Sequence, residues 1–260
     1  MPARSEDPTP SLVEIKNVFH RYAAPGSYVL EGVNLQATKG DFVALIGPSG
    51  CGKSTLLKLI SGLTEAERGT IDINGKSPDE ARAEQAFVFQ DPTLLPWLTV
   101  RGNVELPMRL RKIRPEIREK RALELLKMVH LSHVTGNFPR QLSGGMKMRT
   151  SIARALSLTP KIMLLDEPFG ALDEMTRDKL NEDLLDIRQE ESWTAFFVTH
   201  SVTEAVFLSN KIAVLSANPG RIRKIIEVPF PYPRDSDMRN SMEFHNVVCE
   251  VSEQLREAQK

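Results

Sequence analysis

Apolar positions along the chain follow two rhythms. Short unbroken runs, Phe42–Ile46, Ala86–Phe89, Ile162–Leu165, Ala195–Thr199 and Ile212–Leu215, are bounded by polar or glycine residues. Runs of that length read as strands buried on both faces. Helical spacing follows two of them, Ser54–Leu63 behind Ile46 and, after a loop, Glu174–Gln189 behind Leu165. Strands alternating with helices predict an α/β fold with a mainly parallel sheet and helices packed on it. Asn74-Gly75 and Asn218-Pro219-Gly220 are turn signals inside strand-like sequence, so antiparallel hairpins should flank that sheet and make it mixed.

Between about residues 91 and 158 the rhythm changes. Arg101–Leu110, Pro115–His130 and Gly145–Leu156 have helical spacing with no strand-like run between them, which predicts an inserted helical subdomain. It interrupts a domain expected over residues 12–228. Residues 1–11 are polar and proline-bearing and read as a disordered leader. Residues 229–260 carry Pro229, Pro231 and Pro233 ahead of a charged helical pattern, Met242–Gln259, and read as an accessory tail.

Composition removes several classes of function. Lys plus Arg equals Asp plus Glu at 34 each, so no global charge draws the chain to nucleic acid or anionic lipid. The two cysteines, Cys51 and Cys249, form no disulfide framework and point to a reducing cytosol. The N-terminus lacks the apolar stretch of a secretory signal. Every apolar run falls far short of the roughly 20 residues that span a bilayer, so a membrane role must pass through a partner.

The candidate chemistry begins where the first buried strand meets its helix. Gly47-Pro48-Ser49-Gly50-Cys51-Gly52-Lys53-Ser54-Thr55 has the spacing of a phosphate-binding loop in the required strand–helix context. Its glycines allow backbone N–H groups to wrap phosphate oxygens, helped by the positive end of the helix. Lys53 is expected to reach the β- and γ-phosphates, and Ser54 to hold Mg²⁺. A second buried strand, Ile162–Leu165, delivers Asp166 and Glu167 at its tip. Carboxylates there enter the crevice where open α/β sheets bind ligands. Asp166 would hold Mg²⁺ through its water shell and Glu167 would polarise the attacking water. The plainer alternative, two acids capping the next helix, leaves the phosphate loop unexplained.

Leu142-Ser143-Gly144-Gly145, at the start of a helical pattern, resembles the signature motif of ABC ATPases. With Gln90, Asp173 and His200, the order and spacing of the motifs resemble that family from about Leu12 to Val228. The resemblance implies a phosphate-loop ATPase core with an antiparallel β part and an inserted helical subdomain, using ATP and Mg²⁺. It implies catalytic roles for Glu167, His200 and Gln90, with Gln90 also at the metal, and Asp173 in a loop crossing a dimer interface. In such a head-to-tail pair, of identical or closely related cassettes, Leu142, Ser143, Gly144 and Gly145 act on the opposite subunit's ATP. Tyr22 resembles the aromatic that stacks on adenine, with Phe19, His20 and Tyr28 as competitors.

Implied partners are two membrane-spanning permease subunits and, indirectly, an external solute-binding protein, with no nucleic acid. The implied location is peripheral, on the cytoplasmic face of the membrane. The segment Asp91–Leu98 is unusually apolar for a loop, which marks a docking surface, with packing inside the helical subdomain as the competing explanation. Met146, where many members carry glutamine, resembles the nitrate, sulfonate and taurine importer branch, as do Asp166–Asp173 and Leu215–Ile222. A non-transport ABC ATPase of translation or DNA maintenance is the alternative. The single cassette, neutral charge and lack of basic insertions weigh against it.

Overall fold

The computed structural model describes residues 11–23 and 26–259. The expected leader, 1–11, therefore lies outside the described residues except at its last position, where Ser11 instead opens the first strand. In chain order the elements are β1 (Ser11–His20), β2 (Leu30–Thr38), β3 (Phe42–Ile46), α1 (Lys53–Ile60), β4 (Arg68–Ile73), β5 (Gln85–Val88), α2 (Val100–Leu110), α3 (Pro115–Met128) and α4 (Gly144–Leu156). They continue with β6 (Ile162–Asp166), α5 (Glu174–Glu190), β7 (Thr194–Val198), α6 (Val202–Leu208), β8 (Lys211–Leu215), β9 (Ile222–Glu227) and α7 (Met242–Glu257).

A six-stranded sheet runs β5-β6-β7-β3-β8-β9. Its first five strands are parallel, and β9 closes antiparallel on β8. The apolar runs form this sheet because both of its faces are covered. Phe42, Ala44 and Ile46 of β3 join the core shared with α2–α6, while Val43 and Leu45 face α1 and the second sheet. All five β3 residues are buried, as parallel strands between two layers require.

The second sheet, order β2-β1-β4, is antiparallel and separate. The apolar pattern indicated neither β1 nor β2. The hairpin expected at Asn74-Gly75 shrinks to one bridge between Ile73 and Lys76, after which Pro78, without an N–H, cannot extend a ladder. The turn at Asn218–Gly220 does join antiparallel β8 and β9.

Helices α2, α3 and α4 pack together through Val104, Met108, Leu125, Leu126, Met148 and Ile152. Ahead of α2, the loop 91–98 is braced from inside by Asn103, which is fully buried. Its amide oxygen accepts from the Leu95 N–H at 2.8 Å and its nitrogen donates to the Leu95, Leu98 and Thr99 carbonyls at 3.2, 3.2 and 3.0 Å. Leu94 packs on the core, whereas Trp97 is 69% exposed.

After β9 the chain returns across α6. Arg234 donates to the carbonyls of Val206, Phe207 and Ser209 at 3.0, 2.8 and 3.0 Å, and the Tyr232 hydroxyl donates to that of Leu208 at 2.6 Å. These bonds satisfy the end of α6, whose last carbonyls have no partner within the helix.

Candidate nucleotide and hydrolysis site

Because β5, β6, β7 and β3 run parallel, the residues that follow them emerge at one edge of the sheet. These are Gln90, Asp166 with Glu167, Thr199 with His200, and Gly47. The loop from Gly47 wraps into α1 through Gly52, whose φ of 95° belongs to the left-handed region. A Cβ there would also lie 2.5 Å from Leu30 Cδ2, so both backbone and packing call for glycine. A Cβ on Gly47 would meet Cys51 Sγ and the Leu215 carbonyl, each at 2.7 Å.

Lys53 is buried, its ammonium donating to the Gly47 and Pro48 carbonyls at 2.9 and 3.1 Å. The Ser54 hydroxyl donates to Asp166 Oδ1 at 2.8 Å. Burial pushes the Asp166 carboxyl above its ordinary range and the neighbouring Glu167 charge adds to this, outweighing the Ser54 hydrogen bond and the nearby lysines. Burial likewise raises the Cys51 thiol despite the ammonium beside it, which keeps the sulfur protonated and inert.

Tyr22, Ser49, Gly50, Gly52, Lys53, Ser54, Thr55, Glu167 and His200, with Val29, line one cleft of about 440 Å³. At its inner end Glu167 Oε1 meets His200 Nε2 at 2.7 Å. Glu167 has a φ of 48°, a strained value for a residue with a side chain, and its N–H donates to the Val198 carbonyl at 3.0 Å. Of the four competing aromatics, Tyr22 is the one on the cleft. Its hydroxyl lies 2.8 Å from Thr55 Oγ1 and its ring is 65% exposed. Phe19 and Tyr28 pack edge to face on each other, and His20 Nδ1 lies 3.0 Å from the Glu65 carbonyl.

Gln90 lines a second cavity, about 260 Å³, that shares Glu167 and His200 with the cleft and is otherwise bounded by Phe169, Gly170, Arg177, Thr199, Ser201 and Glu204. Gly47 and Cys51 are buried and Pro48 partly so, and none of the three borders the cleft. Leu142–Gly145 and Asp173 do not border the cleft. Ser143 instead caps α4, its hydroxyl accepting from the Met146 N–H at 3.3 Å, and both Ser143 and Gly144 are exposed. Asp173 caps α5 through the Thr176 N–H at 3.0 Å, a contact that holds its carboxyl below the usual range. The two caps are neighbours, since a Cβ on Gly145 would lie 2.8 Å from Thr176 Cγ2.

Residues 30–170 match the model of the ABC transporter family. The chain belongs to that family. It is the ATP-binding subunit of an ABC transporter, an ATPase. The aliphatic sulfonates import ATP-binding protein SsuB of Bacillus cereus is 43% identical over 249 residues, 95% of this chain and 96% of that protein. An uncharacterized ABC transporter ATP-binding protein of Methanocaldococcus jannaschii is 43% identical over 89% of this cassette and 86% of its own length. Among solved structures, the ATP-binding cassette MJ0796, a dimer in a post-hydrolysis state with ADP and Pi, superposes with a TM-score of 0.73 at 36% identity. That match covers 84% of this cassette and 100% of the other chain.

Two features of the cassette's site were not legible in the motifs. Val29 lines the cleft from a bend before β2, partly buried against the core, where nothing in the pattern marks it. Glu204 had a signal, because Ser201-x-x-Glu204 has capping-box spacing, but that spacing alone describes a helix start.

Proposed function

We propose that this cassette binds Mg-ATP in the Tyr22–Lys53–His200 cleft and hydrolyses it to drive an importer of sulfonate-type solutes. The observation that carries the reading is the convergence of Lys53, the Ser54–Asp166 pair and the Glu167–His200 pair on one cleft. Loop N–H groups and Lys53 hold the β- and γ-phosphates, and Tyr22 offers its exposed ring to the base. Glu167 orients the attacking water and takes up its proton, while His200, tied to Glu167, contacts the γ-phosphate.

Ser54, Asp166 and Gln90 supply hard oxygen donors of the type Mg²⁺ takes. Two carboxylates side by side at the strand tip, Asp166 and Glu167, suit a dication. Among the described residues no cluster of three or more His, Cys, Asp or Glu converges as a metal site. When bound, the ion neutralises phosphate charge during transfer.

The exposed cap at Ser143 and Gly144, next to Asp173, supports a head-to-tail pair in which each signature meets the partner's γ-phosphate. Closure and opening of that pair would transmit ATP binding and hydrolysis to two permease subunits. Trp97 and the loop 91–98, adjacent to Gln90, are the docking surface we assign to them. Among the described residues no helix is long and apolar enough to cross a membrane. By its likeness to import ATP-binding proteins the cassette would sit peripherally, on the cytoplasmic face of the membrane. The names of the SsuB relatives and Met146 support the solute class, and an external binding protein would deliver that solute. On this reading the domain spans 12–228, with 91–158 as its helical subdomain and 229–260 as the tail.

Glu167→Gln tests the reading. ATP affinity should stay within about threefold while turnover falls by about 10²–10⁴-fold, the range for loss of a general base. In size-exclusion chromatography with Mg-ATP the variant should accumulate as a dimer. Near-normal turnover would overturn the assignment of Glu167.

A further inference from the structure

His200 sits between two residues that are both tied to one buried carboxylate. The Thr199 hydroxyl donates to Glu204 Oε2, and the same oxygen of Thr199 accepts from the Ser201 N–H at 2.9 Å. The Glu204 N–H in turn donates to the Ser201 hydroxyl at 3.3 Å. Thr199, Ser201 and Glu204 thus form a closed hydrogen-bonded ring, and His200 projects from it to Glu167.

An ordinary capping box leaves its glutamate at the helix surface with the carboxylate on the N-cap N–H. Here that N–H is reached through Thr199, and Glu204 is only 7% exposed. Its Oε1 is buried with no partner at hydrogen-bond distance among the described residues, and Glu204 lines the cavity that also borders Glu167 and His200. Arg177 Nε lies 3.8 Å from that oxygen. The Arg177 guanidinium also donates to the Leu172 carbonyl at 2.8 Å, beside Asp173. Burial raises the Glu204 carboxyl above its ordinary range against the contacts with Thr199, Arg177 and the fully buried Asn181 amide. Keeping such a group inside the protein is costly unless it is paired and hydrogen-bonded, which makes the Thr199 and Arg177 contacts necessary to its place there.

We propose that Glu204 is a positioning residue for hydrolysis, holding the Thr199–Ser201 turn so that His200 stays aligned with Glu167. Through Arg177 it ties that turn to the Leu172–Asp173 loop. The inference rests on the assignment of Glu167 and His200 above. A rigid ring matters because a misplacement of about 1 Å at a reacting centre costs up to about 10²-fold in rate. The ring lies behind the pair, away from the Lys53 side of the cleft, so its loss should act on turnover and leave nucleotide affinity alone.

The test is a set of purified variants assayed for circular dichroism, ATP affinity, kcat and KM. Glu204→Met should fold, bind ATP within about twofold of the parent and lose about tenfold in kcat with KM unchanged. Thr199→Val breaks the ring from the other end and should do the same. The double variant should lose no more than the worse single variant, because the two groups act as one unit. Glu204→Gln keeps an oxygen for the Thr199 hydroxyl and should recover kcat to within about threefold.

A folded Glu204→Met with parental kcat would overturn the proposal, as would losses that add independently. If Glu204→Met does not fold, Thr199→Val and Glu204→Gln decide alone: parental kcat in the first or a full loss in the second rejects the ring. Glu167→Gln in the same series separates the two readings. Should it also keep its turnover, the hydrolytic site has been misassigned; should it alone lose turnover, only the role of Glu204 falls.

Discussion

The loop at Lys53 and the cap at Ser143 both lie at helix starts rich in glycine and hydroxyl groups, yet they are built in opposite ways. Around Lys53 the chain encloses its own groups. The ammonium is buried on two carbonyls, Ser54 reaches Asp166, and Glu167 and His200 close the far wall. Around Ser143 the chain encloses nothing, and Ser143 and Gly144 face outward with one local capping bond. A helix start satisfied only by its own cap keeps N–H groups and positive potential available to an incoming anion. One region closes on its own groups, and the other stays open, which is what the proposed pairing with a second chain requires.

Three changes would break or sharpen that contrast. Lys53→Ala should have the largest effect, removing the only side-chain cation of the loop and weakening ATP binding by about 100-fold, as loss of charge-assisted hydrogen bonds predicts. Calorimetry on the folded variant checks this, and unchanged affinity would reject the cleft. Ser143→Arg should leave ATP affinity of the isolated cassette within about threefold, since the residue is outside the cleft, but should abolish the ATP-dependent dimer of Glu167→Gln by crowding. Light scattering with Mg-ATP reads that outcome, and a persisting dimer would remove the signature from the interface. Asn103→Ala should leave nucleotide binding intact and lower stability by about 2–3 kcal/mol, because the Leu95 N–H loses its acceptor inside the protein. A shift in the urea midpoint with unchanged slope measures it.

The strands at the heart of the sheet were legible because burial on both faces writes an unbroken apolar run, as in Phe42–Ile46 and Ile162–Leu165. Edges were less so. The run Ala86–Phe89 sits one residue off β5, since Phe89 has left the sheet and is 38% exposed. Strand β1 escaped notice because a register shift falls between Ile15 and Val18, where Asn17 takes a φ of 49°. That irregularity interrupts the alternation by which a half-buried strand is recognised.

The cleft residues announced themselves where chemistry demands fixed spacing along the chain, as in Gly47–Thr55. Glu204 did not, because its importance lies in a relay through Thr199 that spacing cannot show. Tyr22 stood among four aromatics and was separated from them only by the path of the chain past Thr55.

The parallel topology has a kinetic consequence. Gln90, Asp166 and His200 follow strands far apart in sequence, and they reach the same edge of the sheet as the phosphate loop only once β3, β5, β6 and β7 have all paired. Such non-local pairing is slow, because loop-closure entropy must be overcome before any contact forms. Nucleotide-binding competence should therefore be among the last properties gained in refolding. Once present, saturating nucleotide stabilises only the finished fold, by mass action, so the substrate itself acts as the selector for correctly assembled molecules.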